Sequence, residues 1–172
     1  RSIFQADSYE IIENGIDVER FSFKEAKRKE IREKLNIDNE IFLIGHVGRP
    51  GKQKNYPFII KAFSDLYKAD KNIRLLLVGD IDKDEAVQAL IKTAGIQEMV
   101  ICPGKVDAST YYSAMDAFFF PSLFEGFSVA LVEAQAAGLS CVVADTVDAG
   151  SAISGHVYFV SIRDTAQAVE KL

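Results

Sequence analysis

Short apolar runs alternate along the chain with stretches in which apolar residues return every three or four positions. Runs of strand length fall at 41–47, 73–79, 99–102, 117–121, 141–144 and 157–160. Helical spacing separates them at 56–68, 84–94, 109–115 and 128–137, with a further helix predicted at 27–35 before the first strand and another at 165–172. Leu75-Leu76-Leu77-Val78 and Phe118-Phe119-Phe120 leave no polar position for a wet face, so these strands are covered on both sides. The pattern predicts a doubly wound α/β domain, its six-stranded parallel sheet lying between helix layers. In such sheets ligands bind beyond the carboxyl ends of the strands, where strand order reverses.

Composition narrows this. With 172 residues and 48% hydrophobic content, the chain suffices for one sizeable core, and a single domain over 1–172 is expected. It opens on Arg1 and ends within a helical pattern, which reads as a piece of a longer protein. No secretion signal and no apolar run of bilayer-spanning length is visible, so a soluble, cytoplasmic chain is expected. The net charge of −5 speaks against broad nucleic-acid binding, and an anionic ligand would have to be met locally. Cys102 and Cys141 stand beside apolar residues and read as buried free thiols in a reducing compartment. His46 and His156 are isolated in sequence and read as structural.

Candidate chemistry lies in the loops after strands. Glu125-Gly126-Phe127-Ser128 leads into Val129-Ala130-Leu131-Val132-Glu133-Ala134, placing one carboxylate at a helix mouth and a second two turns inside. A first turn without basic or bulky polar side chains, preceded by glycine, leaves N–H groups for an anion. Acids on either side would accept paired hydroxyls, so the predicted guest is a diphosphate flanked by a ribose and a hexose. If the helix ran throughout, the acids would be roughly 12 Å apart along its axis, wide for a glycosidase pair. After the first sheet strand, Gly48-Arg49-Pro50-Gly51-Lys52-Gln53-Lys54-Asn55 reads as a diphosphate clamp or a solvated basic turn. Its glycines do not keep the G-x-G-x-x-G spacing, so a nicotinamide site is poorly supported. The acids of Asp80-Ile81-Asp82-Lys83-Asp84-Glu85 miss the calcium-loop pattern. Asp82 or Asp84 is expected to cap the next helix instead, and no metal ligand is assigned.

Taken in order, these pieces resemble the C-terminal, donor-binding half of the retaining family-four (group 1) glycosyltransferases of GT-B architecture, a Rossmann-like fold. The matching residues are Asn14-Gly15-Ile16-Asp17 with Phe21, Val47-Gly48-Arg49 with Lys54-Asn55, Leu77-Val78-Gly79, and Phe120-Pro121-Ser122 with Glu125-Gly126-Phe127-Ser128, continuing through Glu133-Ala134 to Gly138. The resemblance implies that Arg49 and Lys54, with Gly48, hold the donor diphosphate and that Glu133 takes the ribose hydroxyls. It gives the sugar hydroxyls to Glu125, and gives the Gly126-Phe127-Ser128 backbone to sugar or phosphate. It also implies retention of anomeric configuration without cofactor or metal ion, in polysaccharide or glycoconjugate biosynthesis, with basic groups and a helix terminus meeting the charge. The acceptor, a glycan or lipid-linked, would belong to an N-terminal half, so this chain alone is expected to bind donor without transferring sugar. The whole protein is expected to be cytoplasmic, with association at the inner membrane face. Two features depart from the family: Ser140 replaces a usual proline after Gly138-Leu139, and 144–153 lacks paired glycines followed by an acid. No role is carried to that loop. A non-catalytic nucleotide-sugar-binding module and a GT-B nucleotide-sugar epimerase are the alternatives.

Overall fold

The sheet is built outward from its centre. A computed structural model describes residues 14–172 and contains β1 (Phe42–Val47), β2 (Ile73–Val78), β3 (Val100–Ile101), β4 (Ala117–Phe120), β5 (Ser140–Ala144) and β6 (Val157–Val160). They form one six-stranded sheet in the order β3-β2-β1-β4-β5-β6. Every pairing is parallel, with β1 and β2 in register from Phe42 opposite Ile73 to Val47 opposite Val78. The chain winds outward through β1, β2 and β3 and then crosses to β4 on the other flank of β1. The order therefore reverses between β1 and β4, as predicted for a doubly wound sheet.

Helices α1 (Val18–Phe21), α2 (Glu25–Lys34), α3 (Tyr56–Ala69), α4 (Glu85–Ala94), α5 (Ala108–Tyr111), α6 (Val129–Ala136) and α7 (Ala166–Lys171) complete the layers. Strand alternation distributes the core between two faces. Leu76, Val78, Phe118 and Phe120 pack with residues of α2, α5 and α6, whereas Leu75, Leu77 and Phe119 pack with residues of α3, α4 and α7. The continuous apolar runs are thus buried on both sides.

Several boundaries differ from the sequence pattern. The strand predicted at 99–102 shrinks to two residues because Met99 closes a 3-10 turn over Gln97–Met99. The helix predicted at 109–115 divides into α5 and a 3-10 turn, Tyr112–Ala114. Helix α1 is too short to show a period and is started by Asp17, whose carboxylate accepts the Arg20 N–H at 3.1 Å. The first thirteen residues of the predicted domain lie outside the described ones. Both cysteines are free; Cys141 is buried with its thiol pushed up to about 12 by desolvation, but Cys102 lies just past β3 and is only partly buried. Among the described residues, no helix is long and apolar enough to cross a membrane.

Candidate functional site

The loops leaving β1, β2, β3 and β4 meet at the reversal point around a cleft of about 660 Å³, lined by Gly48, Arg49, Lys54, Lys105, Glu125 and Glu133 among others. Two glycines bring the first loops together. The Gly48 N–H donates to Val78 O at 3.0 Å, and Gly79, at φ +144°, lies so close to Gly48 O that a Cβ there would stand 2.1 Å from it.

Beyond Gly48 the chain turns through a 3-10 turn, Lys52–Lys54, and ends it at Asn55 in the left-handed conformation. Asn55 Nδ2 donates to Pro121 O at 3.1 Å, Gln53 Nε2 donates to Phe124 O at 2.9 Å, and the Leu123 N–H donates to Gln53 O at 2.8 Å. These bonds fasten the basic loop to the loop after β4. Lys54 and Glu125 consequently meet: Nζ donates to Oε1 at 2.6 Å, with side chains 18% and 13% exposed. Lys54 Nζ also lies 4.6 Å from the Phe120 ring centroid. Arg49 remains exposed at the cleft wall.

The expected helix mouth is arranged differently from the sequence reading. Helix α6 begins at Val129, so Glu125 lies outside it in a bridge to Val147, and Glu133 sits one turn inside rather than two. The axial separation of the acids therefore has no helix to refer to. Gly126, Phe127 and Ser128 are not among the cleft residues, whereas Val129 and Ala130 are. The Ser128 N–H is not available to an anion, since it donates to Ser151 Oγ at 2.9 Å. Gln135 holds the same segment, its Nε2 donating to Ser151 O and its Oε1 accepting the Ile153 and Ser154 N–H groups. The loop with no assigned role is thus the brace of the helix start.

Glu133 is half-buried. Its Oε2 accepts the Tyr112 hydroxyl at 2.9 Å; desolvation pushes its carboxyl above the usual range, opposed by that hydrogen bond and by Arg20. Three more residues contribute whose individual roles the sequence does not announce. Lys105 follows Gly104 in the turn after β3, and Gln53 and Asn55 act through amide bonds that leave no charge pattern. Position beyond a strand end was the available signal for Lys105, blunted by the shortness of β3.

His46 is structural, as expected. Fully buried among Tyr56, Phe118 and Phe120, it shares a hydrogen bond of 2.9 Å between Nδ1 and Phe119 O, and burial lowers its pKa to about 4. The folded protein thus holds it neutral while the unfolded chain, near 6.5, takes up a proton. Its contribution is present above pH 6.5 and is lost as pH falls towards 4. Denaturation midpoints should drop over that window, on the order of 3 kcal/mol in all, and a His46→Asn variant should lose most of that slope. An unchanged slope would assign the acid sensitivity elsewhere. Asp84 caps α4, accepting the Val87 N–H at 2.9 Å. Among the described residues, no three His, Cys, Asp or Glu side chains gather as a metal group.

The family model for glycosyl transferases group 1 matches residues 27–172. The chain belongs to that family. This group 1 glycosyl transferase chain is 31% identical over 163 residues to the putative glycosyltransferase EpsF of Bacillus subtilis, covering 87% of this chain and 40% of that protein. To the capsular polysaccharide biosynthesis glycosyltransferase CapM of Staphylococcus aureus it is 29% identical over 167 residues, covering 92% and 43%. The fold is shared with Anabaena HepE, solved in complex with UDP and glucose, at a TM-score of 0.82 and 20% identity over 94% of this chain and 45% of that one. The group 1 chain thus spans less than half the length of these relatives.

Proposed function

We propose that the chain is the donor-binding half of a glycosyltransferase that transfers a sugar from a nucleoside diphosphate, with retention, to a glycan or lipid-linked acceptor. The carrying observation is that three cations from two separate loops, Arg49 and Lys54 after β1 and Lys105 after β3, face two carboxylates, Glu125 and Glu133, in one cleft at the strand-order reversal. UDP and glucose in HepE and the capsular polysaccharide role of CapM support this reading. Arg49 and Lys54 meet the diphosphate, Glu133 the ribose hydroxyls and Glu125 the sugar hydroxyls. In transfer, the bond from the anomeric carbon to the β-phosphate oxygen breaks, a bond to the acceptor oxygen forms, and the acceptor proton leaves with the departing diphosphate. Charge growing on that diphosphate is met by Arg49 and Lys54, so the reaction proceeds without a cofactor or metal ion.

In the Lys54–Glu125 pair the two side chains neutralise one another within the cleft. An arriving phosphate exchanges one anionic partner of Lys54 for another and releases Glu125 towards the sugar hydroxyls. Alone, the chain binds donor and does not transfer sugar, the acceptor being held by the other half of the enzyme.

Calorimetric titration of the chain with UDP, GDP, ADP and their sugars tests the proposal. One nucleotide should bind more tightly than about millimolar, roughly −4 kcal/mol, with Glu133→Ala and the pair Arg49→Ala plus Lys54→Ala each weakening it about tenfold or more. Failure of all three nucleotides to reach that affinity, or indifference to both variants, would overturn it.

A further inference from the structure

We propose that Tyr112 is a positioning residue for the donor site, fixing the Glu133 carboxylate for its contact with the nucleotide ribose. The inference rests on the donor-site reading above and adds to it a residue that does not line the cleft.

Tyr112 is fully buried, so it acts on a ligand only through another group. Its hydroxyl has one proton and two acceptors in reach, Glu133 Oε2 at 2.9 Å and Ala130 O at 3.2 Å. The charged and nearer oxygen takes the proton. Burial among apolar groups and the neighbouring carboxylate raise the Tyr112 pKa well above the ordinary value, so the hydroxyl stays a donor. One carboxylate oxygen of Glu133 is thereby anchored inward, leaving the other for the cleft. A side chain with three rotors becomes an oriented acceptor before any ligand arrives.

The ring of Tyr112 is itself held. Phe21 meets it edge-on at a centroid distance of 6.1 Å, and Phe118 of β4 does so at 5.8 Å. Phe21 ends α1, the turn started by Asp17 of the Asn14-Gly15-Ile16-Asp17 motif. That motif, outside the cleft, gains a role as the outer support of a line running from Phe21 through Tyr112 to Glu133. The charges around Glu133 are Arg20 of α1, which favours its ionised form, and Asp107 at the start of α5, which opposes it. Across the cleft stand Arg49, Lys54, Lys105 and Glu125.

Tyr112→Phe removes only the hydroxyl and keeps the ring packing, so the variant should fold. The Glu133 carboxyl, followed by carbon NMR without nucleotide, should titrate at higher pH in Tyr112→Phe, because a hydrogen bond to its charged form is gone. UDP, GDP and ADP are then titrated in parallel into wild type, Tyr112→Phe, Glu133→Gln and the double variant. Tyr112→Phe should weaken the bound nucleotide about tenfold at neutral pH. Raising the pH past the shifted Glu133 titration should recover part of this, and the hydroxyl loss should add nothing in the Glu133→Gln background. Phe21→Leu, which loosens the same ring from α1, should give a smaller loss that also disappears there. Wild-type affinity in Tyr112→Phe, an unmoved Glu133 titration, or losses that multiply in the double variant would each overturn the proposal while leaving the donor site standing. Failure of wild type to bind any of the three nucleotides would remove both.

Discussion

Replacing Asp116 by alanine should lower the stability of the fold by about 3 to 5 kcal/mol, the range for breaking a buried ion pair from one side. Asp116 Oδ1 accepts Arg28 Nη2 at 2.7 Å, while Oδ2 accepts Arg32 Nη1 at 3.2 Å and the Leu43 N–H at 2.7 Å. Arg32 is 2% exposed, and its remaining bonds go to the carbonyls of Ala114, Asp38 and Ile41. A guanidinium does not discharge at any working pH, so without Asp116 its charge stays buried and uncompensated. The Leu43 N–H at the start of β1 loses its acceptor as well. Asp116 immediately precedes β4, so the damage falls on the strand that leads to Glu125. For a domain of this size the loss corresponds to a fall in melting temperature of roughly 6 to 20 °C. Asp116→Asn should fall between, since an amide oxygen still accepts one N–H. A melting temperature for Asp116→Ala within a degree or two of wild type would show that the two arginines find water or other partners.

This cluster was not visible in the sequence, although the sheet beside it was. The runs Leu75 to Val78 and Phe118 to Phe120 announce strands covered on both faces, because no polar position interrupts them, and they alternate between the two cores as the pleat requires. Arg28, Arg32 and Asp116 read only as charges, since a chain pattern does not reveal which charges a sheet will enclose. The same holds at the candidate site. Its acids, Arg49 and Lys54 share one cleft because the reversal rule places loops after strands there. That Lys54 pairs with Glu125, 71 residues away, follows from the Asn55–Pro121 and Gln53–Leu123 bonds, which exist only once β1 and β4 are neighbours. Tyr112 passed as a core aromatic because its ring is one; only its hydroxyl carries the connection to Glu133.

Gly79→Ala should be the most damaging single-methyl change in the loops of the cleft, costing about 2 to 6 kcal/mol from two sources of roughly 1 to 3 kcal/mol each. The first is backbone conformation. Gly79 has φ +144° and ψ −171°, a region that only glycine occupies without strain. The second is contact. The new Cβ would lie 2.1 Å from Gly48 O, a backbone atom with no rotamer to yield, so the loop itself must move. Gly79 also donates its N–H to Gly104 O at 3.2 Å, next to Lys105, so displacement would reach cations on both sides of the cleft. Nucleotide affinity should therefore fall with stability. Gly95→Ala separates the two sources: Gly95 closes α4 at φ +68°, but a Cβ there meets nothing within 4 Å. It should cost about 1 kcal/mol and leave nucleotide binding unchanged. Denaturation curves and nucleotide titrations on both variants decide the matter. If Gly79→Ala proved as mild as Gly95→Ala, the close crossing of the β1 and β2 loop ends would not be what holds the basic loop against the cleft.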